Sequence, residues 1–453
     1  MISILSKPRE QICIDDIHEL ISSGIPEGEQ IEYKEGLSRK GNNDEDDWLS
    51  GGKLGERAKR SLIKQVVALT NTNGGVVVLG IGESHDKPPV AKCIAPIPRC
   101  AELANDLTSV FFGKIEPHLP SLEVFPIKTN EESGLVVIRV GKSRQAPHRD
   151  TTTLQCYVRR NDQSWRMTMR EIQDATLNTA RGLEKLDREF AKRNSLFQKE
   201  FKGLVNPEDV FGIRLSAIPV SDNVWVDRVF DQRRIIPPLD SPWTDVFEHQ
   251  IDSNSRRLLS IGKLNSSLPW RPILRGVRSD NKKRALGFRL RTPHFSDLPQ
   301  SILYNEIHCN GLVELGLVSH REYPNSQDEQ FKFFVSPDLI LSLFANLLTQ
   351  LHRIRTLAES PMAEYAIEVF ASTKGTPRTI GYPDFAFEPV GEFPPDILEF
   401  PRYLLTDVDD FPDRLNLFFR DLYNALGQDL DPQKRSLSIK NWPPDISTEH
   451  QQK

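Results

Sequence analysis

Cysteine is scarce in this chain. Five are spread over 453 residues (Cys13, Cys93, Cys100, Cys156 and Cys309), odd in number and never spaced as CxxC. That usage excludes a disulfide framework and a structural zinc site, and it points to a reducing compartment. Long apolar runs are missing too: nothing approaches the roughly 20 residues that a membrane helix needs. The opening segment "MISILSKPREQICIDD" has no secretion-signal core, so a cytoplasmic protein without a membrane partner is expected. An excess of one charge is also lacking. The formal net charge of −5 does not mark a nucleic-acid binder, although a local basic face matters more than the total. "GKS" at 141–143 ends like a phosphate-binding loop, but that motif needs glycine where Val136 stands. "GIGES" follows an apolar run, yet the "HDKPPV" behind it cannot open a helix, which excludes a dinucleotide fingerprint. GxSxG, HExxH and the kinase motifs do not occur. Nucleotide binding therefore ranks last.

What is present is a globular composition, 38% apolar and 27% charged, in a chain long enough for two or three domains. Periodicity predicts a helix over 16–22 with an aspartate cap. A short strand follows over 29–34, with Ile31 and Tyr33 facing a core and Glu32 and Lys34 sharing the other side. "LSRKGNNDEDDWLSGGKLGE" reads as a polar, acidic insertion. A helix from about 54 carries the stripe Ala58, Leu62, Ile63, Val66, Val67 and Leu69, and stops at "TNTNGG", where Asn and Gly suit a left-handed cap. "VVVLGIG" reads as one fully buried strand. Leu103, Leu107, Val110 and Phe111 place another helix; strands at 122–127, 135–140 and 154–159 and a short helix at 169–177 close an α+β domain over 1–182. The expected remainder is a helical connector (183–205), a mixed α/β accessory or oligomerisation domain (206–430) and a polar tail (431–453).

Two groups of residues carry chemical interest. "EGEQIEYKEG" at 27–36 crowds four glutamates around a short apolar run. Carboxylate oxygens suit a hard divalent ion, beside which Lys34 would hold a phosphate; a solvated strand face is the other reading. Further on, Arg57, Arg60 and Lys64 fall at i, i+3 and i+7, on one helix face opposite the apolar stripe. Arg144, His148, Arg149, Arg159, Arg160, Arg166 and Arg170 add cations later, and Tyr157 and Trp165 stand among them where they could stack on bases. An ordinary charged helix face would look the same.

The pieces "EYK", "ALTNTNGGVVVLGIGE" and "YVRRND", in this order, resemble the Schlafen-type Alba-like domain. The match runs through Glu27, Glu32, Tyr33 and Lys34, then Ala68, Asn71, Thr72, Gly74 and Gly75, then Pro147 and His148, and finally Tyr157, Val158 and Arg159. It covers about the first 180 residues and leaves the rest unassigned. The resemblance implies a nucleic-acid-binding domain, with Arg57, Arg60, Lys64, Arg144, His148, Arg159 and Arg160 as candidate contacts. In the Schlafen branch an acidic trio binds metal and cleaves transfer RNA. By position that trio is Glu27, Glu32 and Glu83, holding Mg2+ or Mn2+ with Lys34 as a catalytic neighbour. The family usually has aspartate at the third place; Glu83 departs from it, and Asp86 is the fallback. The implied function is a metal-dependent endoribonuclease acting on tRNA-like RNA in defence or stress response. The alternative is a non-catalytic DNA-binding regulator. Vertebrate Schlafen cores join two such lobes. With one motif copy here, a homodimer or higher even oligomer is expected.

Overall fold

The computed structural model describes residues 3–37, 46–84, 88–204, 210–220, 224, 247–250, 256–259, 270–273, 276–280, 301–319, 334–335, 337–374, 378–382, 388–393, 396–427 and 436–439. They divide into two compact units: Met1–Lys185 with Glu359–Glu364, and Leu186–Ala358 with Tyr365–Lys453.

The architecture is α+β. In the first unit the order is α1 (Ser3–Ser6), α2 (Ile14–Ser22), β1 (Ile31–Lys34), α3 (Glu56–Thr70), β2 (Gly75–Leu79), β3 (Ile81–Glu83), β4 (Ala91–Ile94), β5 (Ile97–Pro98), α4 (Cys100–Lys114), β6 (Ile115–Glu116), β7 (Leu122–Lys128), β8 (Ser133–Val140), β9 (Arg149–Asp150), β10 (Gln155–Arg160), β11 (Gln163–Arg166) and α5 (Met169–Leu204). Among the described residues the main sheet runs β1-β2-β8-β5, with β7 also on β8. β1 and β2 are parallel, Glu32 opposite Val77. Parallel neighbours need a crossover, and α3 supplies it. Both faces of β2 are covered, which is why "GVVVL" lacks alternation. Val77 and Leu79 join Leu62, Val66, Leu107 and Ile138 in one core. Val76 and Val78 join Ile31, Tyr33, Ile17, Leu20 and Val137 in the other. A smaller sheet runs β11-β10-β9-β6.

Several boundaries differ from the sequence reading. Asp16 is not the cap of α2 but its third residue; its carboxylate accepts from the Cys13 N–H at 2.9 Å and pairs with Lys7 at 2.5 Å. "VVVLGIG" is two strands, because Gly80 at φ +93° turns the chain into a β3–β4 hairpin. The stretch 163–166, which shows no clear periodicity, is strand β11. The helix at 169–177 and the helical connector are a single 36-residue helix, α5. No proline interrupts it, and Gly182 costs only about 1 kcal/mol, too little to stop a helix of that length.

The second unit is built on an antiparallel sheet in the order 270–273, 276–280, 301–308, 313–319, 210–219, 365–374, 396–399, with 403–405 also on 365–374. Helix Pro337–Leu357 buries Ile340, Phe344, Leu348 and Leu351, and Phe344 stacks on Phe418 of helix Phe411–Ala425 with ring centroids 4.3 Å apart. Strand alternation gathers Arg214, Ser216, Glu306 and Glu314 on one sheet face. There Arg193 reaches Glu306 at 3.1 Å, Arg278 reaches Glu306 at 2.7 Å and Arg214 reaches Glu368 at 2.6 Å. Burial alone would raise the Glu306 carboxyl, but His308, Arg193 and Arg278 together hold it down at about 2. No helix among the described residues is long and apolar enough to cross a membrane.

Candidate nucleic-acid interface and carboxylate cluster

Three stretches that sequence reading treated separately meet at Asn71, the residue that caps the C-terminus of α3. Its Nδ2 donates to the carbonyls of His148 and Tyr157, both at 2.9 Å, and its Oδ1 accepts from the His148 N–H at 2.7 Å. Next to it the Thr72 hydroxyl donates to the Ala68 carbonyl and accepts from the Arg159 N–H, each at 2.8 Å. The "NTNGG", "PH" and "YVR" pieces are therefore one knot that ties β10 to the end of α3. Buried amide and carbonyl groups must find partners, and Asn71 satisfies three of them at once. His148 is 0% exposed, with Nδ1 2.8 Å from the Pro117 carbonyl, and burial lowers its pKa. It is a neutral ring inside the fold, not the surface contact the sequence suggested.

The carboxylates do gather. Lys34 Nζ lies 2.7 Å from Glu32 Oε1 and 3.4 Å from Glu83 Oε1, and donates to the Tyr33 carbonyl at 2.8 Å. Glu27 folds back as its position before β1 suggested, and its Oε1 accepts from the Tyr33 N–H at 2.7 Å. Burial, then the charges of Glu32 and Glu83, push the Glu27 carboxyl up to about 7 against the opposing pull of the Tyr33 N–H and Lys34. Burial would lower Lys34, but Glu32, Glu83 and Glu27 outweigh it and hold the ammonium above the ordinary lysine value. The second oxygen of Glu32 lies 2.5 Å from Arg159 Nη2. Arg159 is 1% exposed and also donates to the Gly28 carbonyl and Gln65 Oε1, both at 3.0 Å. It is a buried partner of Glu32 rather than a nucleic-acid contact, a pairing across 127 residues of chain that no local pattern reveals.

This arrangement does not fit Mg2+ or Mn2+ as it stands. The ammonium of Lys34 holds the place between Glu32 and Glu83 that a divalent ion would need, and Arg159 takes the remaining Glu32 oxygen. Among the described residues no three His, Cys, Asp or Glu side chains form a metal cage. Asp86 lies outside the described residues.

The cations divide into buried and exposed. On α3, Arg57 and Arg60 are exposed and Lys64 is half-buried, on the side away from the buried Leu62, Val66 and Leu69. Arg144 is half-buried, and exposed Arg160 pairs with Glu171. α3 is fastened to the β10–β11 hairpin through Gln65, whose Oε1 accepts from Arg159 and from the Ser164 hydroxyl. Where they meet, a cavity of about 410 Å3 is lined by Lys64, Tyr157, Gln163, Ser164, Trp165 and Arg166. Tyr157 is buried in the core beneath Lys64, whose Nζ sits 5.9 Å from its ring centroid, while Trp165 is 51% exposed. Sequence reading named Trp165 and Arg166 without their strand. The usable signal was the "ND" turn at Asn161, φ +55°, which closes the hairpin.

Residues 27–168 match the family model described as Schlafen, AlbA_2, and this part of the chain is a domain of that family. No curated protein matches the chain. Among solved structures it is similar to the N-terminal domain of a RecG-related protein from Nitrosomonas europaea, determined by solution NMR. The identity is 19%, the match covers 29% of this chain and 75% of that one, and the TM-score is 0.21.

Proposed function

We propose that the Schlafen AlbA_2 domain binds RNA or DNA through the exposed face of α3 and the adjoining β10–β11 hairpin. The observation that carries this is the row Arg57, Arg60, Lys64, which leads along α3 to the cavity where Arg166 stands. Such a row neutralises phosphates at intervals and releases counterions, which supplies affinity without sequence preference. The test is fluorescence anisotropy of the full chain with labelled tRNA and with DNA, beside an Arg57→Ala/Arg60→Ala variant. Binding is expected to weaken about tenfold, on every sequence alike. A variant that binds like wild type would remove α3 from the interface. One motif copy per chain supports a homodimer that presents two such faces, and sedimentation as a monomer at micromolar concentration would oppose that assembly.

A second reading, metal-dependent cleavage of tRNA-like RNA, is supported by the convergence of Glu27, Glu32 and Glu83 beside a half-exposed Lys34. It requires Lys34 to leave the carboxylates. Total tRNA incubated with Mn2+ or Mg2+ decides it. Fragments lost with EDTA and in Glu83→Gln would establish cleavage. Glu83 is the better variant, because removing Glu32 would strand the buried Arg159 charge. Intact tRNA that shifts on a gel leaves binding alone.

A further inference from the structure

We infer that the cavity between α3 and the β10–β11 hairpin is a seat for one unpaired nucleotide, which makes single-stranded nucleic acid the preferred ligand class; the inference rests on the nucleic-acid reading above. Four observations bear on it. The volume of about 410 Å3 lies in the range of small-ligand sites. Trp165, on its lining, is half-exposed, an uncommon state for tryptophan in a monomer but the state a base-stacking platform requires. Lys64 and Arg166 supply cations on the same lining; because Arg166 pairs with Tyr157 and Trp165 with Val158, the cations and the indole flank the β11 edge from opposite faces, and a nucleotide crossing that edge meets both. Finally, among the described residues β11 is an edge strand, paired on one side to β10. Its outer backbone groups and Gln163 can meet the polar edge of a base.

A duplex cannot use such a seat well. Its bases are stacked and paired, so it offers phosphates but no free base face, whereas an unpaired nucleotide offers both. The exposed row on α3 would hold either ligand through phosphates; the Trp165 cavity discriminates between them.

The experiment measures affinity of the full chain for labelled oligo(U), oligo(dT) and a blunt RNA duplex of equal length, in wild type, Trp165→Ala and Trp165→Phe. Trp165→Ala is expected to weaken both single strands about tenfold, a typical loss of one stacked base, and to leave the duplex within about twofold. Trp165→Phe is expected to restore most of the loss, and it is the unchanged duplex affinity of Trp165→Ala that a role in hairpin folding would not explain. Equal losses on oligo(U) and oligo(dT) would assign recognition to the base; a loss on oligo(U) alone would add the ribose to the seat. Trp165→Ala weakening all three ligands equally, or none, would overturn the inference while leaving phosphate binding by α3 intact. Wild type that binds none of the three would remove the nucleic-acid reading and this inference with it.

Discussion

A single carboxyl shows how far residue-level pattern reaches. The crowding of glutamates at 27–36 was visible in the sequence, and so was Lys34 on the same strand face as Glu32, because alternation fixes it. What pattern could not supply is that the cluster answers to protein cations, since Arg159 arrives from a strand more than a hundred residues away. The consequence falls on Glu27. The folded protein holds its proton more tightly than the unfolded chain does, so the stability it contributes is complete below about pH 4.5 and is lost as the pH climbs through about 7. Burial is the largest cause of that shift; the charges of Glu32 and Glu83 add to it, while the Tyr33 N–H and Lys34 oppose it. Glu27→Gln keeps an oxygen for the Tyr33 N–H but cannot ionise. Wild type is expected to lose on the order of 1–3 kcal/mol at this site between pH 5 and pH 8, and the variant to lack that loss. Urea midpoints at the two pH values check it; parallel profiles would place the titration elsewhere.

At the scale of elements, strands and helices were legible wherever one pattern held for several residues, and boundaries were lost where a single glycine or its tolerance decided. Gly80 split one expected strand into two, whereas Gly182 failed to split α5. The glycine pair after α3 is the sharpest case. Gly74 and Gly75 have φ of +71° and +148°, and a Cβ on Gly75 would lie 2.3 Å from the Gln30 carbonyl oxygen of the segment entering β1. That contact is backbone against backbone, at the point where α3 hands over to β2 beside its parallel neighbour. Gly75→Ala is expected to cost about 3 kcal/mol or more, combining overpacking with a strained backbone. Gly28→Ala, where a Cβ meets nothing within 4 Å, is expected to stay within about 0.5 kcal/mol. Chemical denaturation of the pair tests the claim, and equal losses would mean that the Gln30 segment yields.

On the scale of the whole molecule the sequence conveyed two things well: an α+β Schlafen AlbA_2 domain at the front and a mixed unit behind it. The strand order of the second unit, in which 210–219 lies between 313–319 and 365–374, could not be read, because pairing partners that far apart leave no local trace. Net charge was equally uninformative. A chain at −5 repels a polyanion at long range, yet Arg57, Arg60, Lys64 and Arg166 put four cations beside one another along α3 and the hairpin. Local neutralisation and global repulsion are both screened by salt, but they move in opposite directions, and the contact term dominates because released counterions scale with phosphates touched. With about four contacts to a single strand, the logarithm of the association constant should fall against the logarithm of salt concentration with a slope of about −3. Anisotropy titrations between low and physiological salt measure it. In Arg57→Ala/Arg60→Ala the slope should flatten by about 1.4, two contacts' worth. A slope near zero in wild type would mean that the ligand is held by something other than its phosphates, and would move the interface off α3.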